Sequence, residues 1–281
     1  MKTGTYISRR AKTLTVIFVT RINALEKPKL RNPVLVVGLP GVGNIGRVAV
    51  GYLVSELKAK KFADLYSKWF FPFVVIHDKN RASLLKNEFH YYKAKSPGER
   101  DMIFLVGDCQ SLSPQGHYEV LEKILDFVET LGVKEILTIG GLATGNLDSS
   151  SKVVGAVNDE KLTKAHEKYN IDFNVAEKVG YIVGAAGLLL GLGKERNMKG
   201  VCLLGQTSGF PIVTDPKAAE AVLKVFVKIF GLNIKLAKLD KKVKEMEEFM
   251  KKVESLQMKA VSELAKASKA PSSGEQLRYI G

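Results

Sequence analysis

The residues with the clearest chemical spacing are the glycines of the segment 38–46, GLPGVGNIG. Gly41, Gly43 and Gly46 form G-x-G-x-x-G after an apolar run and ahead of a helix-period segment, the local context of a dinucleotide-binding turn. There, backbone N–H groups at a helix N-terminus hold a pyrophosphate. A ribose-binding acid is then expected at the end of the next strand, about twenty residues on. Asp64 has that distance but follows Lys60-Lys61-Phe62-Ala63, which does not read as a strand, and Asp78 ends a strand too far away. The segment also imitates a P-loop. However, Arg47 stands where Lys must reach the β/γ-phosphates and Val48 where a hydroxyl must meet magnesium, which argues against NTP hydrolysis. The plainer reading is a tight turn whose glycines permit close packing. An anion-binding loop of Gly38, Gly41, Gly43 and Gly46 is the alternative, and with it a nucleotide- or nucleoside-binding enzyme.

Three further groups carry potential chemistry. Asp108 and Cys109 end an apolar run and His117 and Glu119 open the next helical segment. Strand ends are where α/β folds place ligands, so this is the best enzymatic constellation in the chain, although capping or interface roles suit these residues better. Gly205-Gln206-Thr207-Ser208-Gly209 misses the nucleophile elbow, because Thr207 takes the place of the central serine, and reads as a strand-end loop. The histidines 77, 90, 117 and 166 show no metal-ligand spacing. No catalytic residue, metal or cofactor is assigned.

The elements that would position these groups alternate between continuous apolar runs and helix-period segments, which is an α/β pattern. Strands are predicted over 14–20, 34–37, 73–77, 102–106, 136–139 and 201–204. Helices are predicted over 44–60, 116–131, 159–168, 182–193 and 216–230, followed by an arm from about 235 to 266. Runs such as Ile103-Phe104-Leu105-Val106 are apolar on both faces, so those strands should lie between helix layers. Asp215-Pro216 reads as an N-cap with proline at the first helical position, and Gly231 as the C-cap. The glycine-leucine segment 180–193 reads as a buried packing helix or oligomer contact. The domain reading is a leader over 1–12, one α/β/α domain over 13–231, a heptad arm over 232–266 and a flexible tail over 267–281.

The totals narrow the partners. Of 281 residues 46% are apolar, enough for a full core, and no stretch is long and apolar enough to span a membrane. The basic leader before Leu14 resembles a short signal peptide but lacks a cleavage site, and the two cysteines stand alone, so a reduced, cytoplasmic setting is expected. The net charge of +14 is spread out with no compact aromatic-basic motif, which reads as a lysine-rich solvated surface rather than a nucleic-acid site.

The most informative segment is the last. Leu236, Leu239, Val243, Met246, Met250 and Val253, then Gln257, Ala260 and Leu264, step by threes and fours along one helical stripe. Such a stripe suits an intermolecular seam between copies, with Gln257 fixing register, or a long helix folded back on its own globule; the seam is preferred. After the polar segment 266–276, apolar residues return at Leu277, Tyr279 and Ile280, the pattern of a docking peptide on a leash.

Together, Gly38-Leu39-Pro40-Gly41-Val42-Gly43, the Leu188-Leu189-Leu190 helix, the segment 201–205 and the Tyr-bearing terminus resemble the archaeal branch of the proteasome assembly chaperone family, often labelled ATP-grasp superfamily. The resemblance implies a three-layer α/β/α sandwich of the phosphorylase/hydrolase-like kind, homo-oligomerisation and no catalytic activity. It also implies arms and tails that reach for the α subunits of the 20S proteasome. In such partners a terminal hydrophobic-Tyr-X tripeptide enters pockets between α subunits. Here Tyr279 is third from the end and Arg278 precedes it, so Leu277, Arg278, Tyr279, Ile280 and Gly281 form a shifted version of the pattern.

Overall fold

A computed structural model describes residues 20–144, 153–174, 180–207 and 214–239, and, from there to 262, residues 241, 243, 244, 251–253, 255, 256, 258, 259 and 262. The predicted strand 14–20, save Thr20, and the leader 1–12 lie outside these residues.

The strands are β1 (Arg21–Ala24), β2 (Val34–Gly38), β3 (Lys60–Tyr66), β4 (Val74–His77), β5 (Arg81–Leu84), β6 (Asn87–Tyr92), β7 (Met102–Gly107), β8 (Glu135–Ala143), β9 (Val153–Val157) and β10 (Lys199–Thr207). Among the described residues the helices with continuous bounds are α1 (Ile45–Glu56), α2 (Pro114–Glu129), α3 (Lys161–His166), α4 (Ala185–Glu195) and α5 (Pro216–Phe230). Eight strands form one sheet in the order β1-β3-β6-β7-β2-β8-β10-β9, and β4 and β5 form a separate hairpin. β7, β2, β8 and β10 run parallel, whereas β1, β3 and β6 on one side and β9 on the other are antiparallel.

The parallel centre follows from its composition. Every residue of β2 is buried. Val34 and Val36 face one way, with Phe104, Ile139 and Leu203, into the packing of α1 and α5. Leu35 and Val37 face the other, with Ile103 and Leu105, into α2 and α4. Helices therefore cover both faces of a large central sheet, as expected. The caps of α5 are those predicted: the Asp215 carboxylate accepts from Ala218 N at 2.9 Å, and Gly231 closes the helix at φ 62°. Ser113 caps α2 in the same way, accepting from Gly116 N at 3.0 Å. Each such N-cap contributes about 1 kcal/mol.

Several expectations need correction. Residues 60–63, read as no strand, begin β3, and the helix predicted to reach 60 ends at Glu56. The predicted strand 73–77 is β4 of the hairpin, not part of the central sheet. Residues 205–207, expected in a loop, complete β10. Beyond Gly231, Leu232, Leu239 and Val243 are buried in the α1–α5 layer.

Candidate functional site

The glycine turn lies between the end of β2 and the start of α1. A Cβ on Gly38 would stand 2.1 Å from the Gly46 carbonyl oxygen, and one on Gly46 would stand 2.3 Å from the Ile139 carbonyl oxygen. Gly43 sits at φ 61°, where a side chain is strained, and its carbonyl accepts from Asp215 N at 3.0 Å. Three of the four glycines thus press α1 onto β2 and β8 or form the turn itself. Gly41 alone has room, with only Gln110 Nε2 near, at 3.8 Å.

The acid that a dinucleotide site requires is not supplied by Asp64. Although it lies on a strand, β3 is separated from β2 by β6 and β7, and its carboxylate pairs with Lys61 at 3.2 Å and Lys86 at 3.0 Å. Asp78 is at the tip of the hairpin. Two acids lie near the turn: Asp215, whose carboxylate is taken up in capping α5, and Asp108, which accepts from Lys86 N at 3.1 Å and lies 3.6 Å from the Arg47 guanidinium. Burial pushes the Asp108 carboxyl pKa up, against the pull of Arg47.

The four strand-end groups do not assemble. Cys109 is buried and its thiol pKa is raised, first by desolvation and then by the charge of Asp108, which makes it a poor nucleophile. His117 donates from Nδ1 to the Ser113 carbonyl at 3.0 Å, a capping contact on α2. The Glu119 carboxylate accepts from Thr20 Oγ1 and from Trp69 Nε1, both at 2.7 Å, and ties the N-terminal approach to α2. Among the described residues none of the four bonds to another, and no cluster could hold a metal ion. Nor is any described helix long and apolar enough to cross a membrane.

What the strand ends do form is a cavity of about 520 Å³ between the ends of β2 and β8 and the start of α4. Its walls are mostly apolar, including Leu39, Ile139, Leu142, Ala186 and Leu204. Gln110 braces it, donating to the Pro40 carbonyl at 2.7 Å and accepting from Ala185 N at 2.8 Å. No local pattern marks Gln110 in the sequence, because its partners lie seventy and seventy-five positions away.

The arm is rooted in the globule. The Tyr52 hydroxyl donates to the Lys235 carbonyl at 2.6 Å. Leu236 packs against the α1–α5 core, and Leu239 and Val243 are each 2% exposed. Val253 is buried in the opposite core layer, and the neighbouring Lys252 Nζ donates to the Ile76 carbonyl of the hairpin at 2.7 Å. The described residues of the stripe thus face their own globule, the alternative that the preferred seam between copies was set against. An identical three–four spacing serves either surface. Met246, Met250, Gln257, Ala260 and Leu264 lie outside the described residues, as does the whole candidate docking peptide Leu277, Arg278, Tyr279, Ile280 and Gly281.

The PAC2 family matches residues 35–254. An uncharacterized protein of Methanocaldococcus jannaschii is 38% identical over 90% of this chain and 93% of its own length. Among solved structures, Pyrococcus furiosus PbaB, described as an archaeal proteasome activator, is 41% identical with a TM-score of 0.76, covering 85% of this chain and all of that one. Pyrococcus furiosus PbaA, described as an archaeal homolog of proteasome-assembly chaperone, is 25% identical with a TM-score of 0.69, covering 86% and 99%. The ATP-grasp superfamily label finds no support in these matches.

Proposed function

The chain belongs to the PAC2 family, and from that premise we propose that it is a non-enzymatic, ATP-independent proteasome assembly chaperone or adaptor. It acts in the cytoplasm as a homo-oligomer and binds 20S proteasome α subunits through its C-terminal arms and tails. The observation that carries this reading is the likeness to PbaB and PbaA, both described in proteasome terms. It is supported by a globule whose candidate catalytic groups are each engaged in packing, capping or structural ion pairs.

The docking peptide is Leu277, Arg278, Tyr279, Ile280 and Gly281. One short tail binds weakly, since ordering a polar leash costs conformational entropy that a few side chains barely offset. Several tails on one oligomer act at high effective concentration and gain about 10²–10⁴ in avidity. The oligomer thereby holds free α subunits against aggregation and releases them as the ring closes.

The test is direct binding of purified proteasome α subunits to the full chain and to a chain lacking residues 276–281, with light scattering to follow the oligomer. The proposal expects binding to be lost and the oligomer retained. Unchanged binding refutes the tail as the docking element, and a solitary monomer refutes the avidity mechanism.

A further inference from the structure

The strand-end cavity has no role in that function, yet it is a well-formed apolar hollow with a bare rim. Tyr181 and Val183 on its edge are 71% and 80% exposed. At about 520 Å³ it falls within the range that receives small ligands or a few side chains.

We propose that the cavity is the resting seat of the chain's own C-terminal peptide, which docks there in cis until a partner competes for it. This inference rests on the docking-tail reading and adds its regulation. Two observations single out this occupant. First, the arm returns to this side of the sheet: Val253 is buried in the core layer to which Leu39 and Ala185 of the cavity wall also belong. Nineteen residues follow Ser262, and an extended segment of that length spans up to about 60 Å, so the terminus reaches the cavity easily. Second, the chemistry matches. In an extended peptide Leu277 and Tyr279 share one side and enter the apolar hollow, while Arg278 turns to solvent. Ile280 then lies on the rim formed by Tyr181 and Val183.

A polar partner waits on the wall. His117 lines the cavity and donates from Nδ1 to Ser113, so Nε2 of the neutral ring is an acceptor for the Tyr279 hydroxyl. A tethered peptide acts at an effective concentration of about millimolar, so even weak contacts keep it seated much of the time. Partner binding is then weakened by the fraction of tails held in cis, which sets a threshold for capture.

The experiment uses the full chain with paired cysteines, Val183→Cys with Ile280→Cys, against a control pair, Leu25→Cys with Ile280→Cys, so that Leu277 and Tyr279 are kept. Leu25 is 65% exposed next to the edge strand β1, and the native Cys109 and Cys202 are buried, so they do not compete. Under mild oxidation the first pair should form an intrachain disulfide about tenfold faster than the control. Equal rates, or a disulfide found only between two copies, overturn the proposal. Amide exchange at 184–186 in the full chain provides a second readout. Leu277→Ser with Tyr279→Ser should accelerate it, and unchanged exchange also overturns the proposal. If cis docking fails while α subunits still require residues 276–281, only this inference falls. If α subunits bind without those residues, the docking-tail reading fails whatever the disulfides show.

Discussion

The glycine turn and the helical arm both carry sequence patterns that suggest function, and the fold uses them differently. At the turn, the bare Cα surfaces of Gly38 and Gly46 lie against backbone carbonyls, with no space left for a ligand's approach at either position. The arm is used only in part: Leu236, Leu239, Val243 and Val253 anchor it to the globule, and a further nineteen residues follow its last described position. The lesson is that a pattern consumed by packing is scaffold. The proposed docking residues Leu277, Tyr279 and Ile280 carry no such packing pattern in the sequence.

The largest effect that sharpens this contrast is expected at the turn. Gly46→Val forces its Cβ into the Ile139 carbonyl and should destabilise the chain by about 3 kcal/mol or more, or prevent folding. Thermal unfolding checks this, and a well-folded Gly46→Val chain with nucleotide binding altered would restore the ligand-loop reading. At the arm root, Val243→Ala removes a buried side chain and should cost about 1–3 kcal/mol, with proteolysis of the arm accelerated. A neutral result would mean that the stripe does not rely on its own globule.

A smaller, pH-dependent effect is expected away from both regions, in the charged half of the sheet. Hydrogen bonds from His90 and Lys86, against the opposing effect of burial, hold the Glu88 carboxyl well below the usual carboxylate range. A lowered folded-state pKa gives stability that is present above the unfolded value of about 4.3 and is lost as pH falls further. Glu88→Gln should therefore cost about 1 kcal/mol at neutral pH, with the gap from wild type closing below about pH 4. Paired melting curves across pH measure it, and a gap that widens in acid would contradict the sign.

Legibility in the sequence followed the same division. Strands β2 and β7 were readable because Val34–Val37 and Ile103–Val106 are apolar on both faces, and α5 because Asp215-Pro216 and Gly231 punctuate it. β3 and β6 were not, because Lys61, Asp64, Lys86, Glu88 and His90 build an ion-pair network on and between strands that a hydropathy pattern reads as surface. β8 ran past its predicted end because Gly140 and Gly141 resemble a loop, yet a Cβ on Gly141 would meet the Val42 carbonyl at 2.2 Å. The arm's period was legible and its destination was not, since an apolar stripe does not name the surface it meets. The cavity was invisible for a similar reason: its walls come from segments far apart in the chain.

The central proposal is that the terminal peptide is the docking element for proteasome α subunits. Its most direct test is the affinity of purified α subunits for the full chain and for a chain ending at Glu275, with melting temperature recorded for both. A loss of about a hundredfold or more in affinity is expected, with both chains still unfolding cooperatively. Equal affinity for the two chains would contradict it.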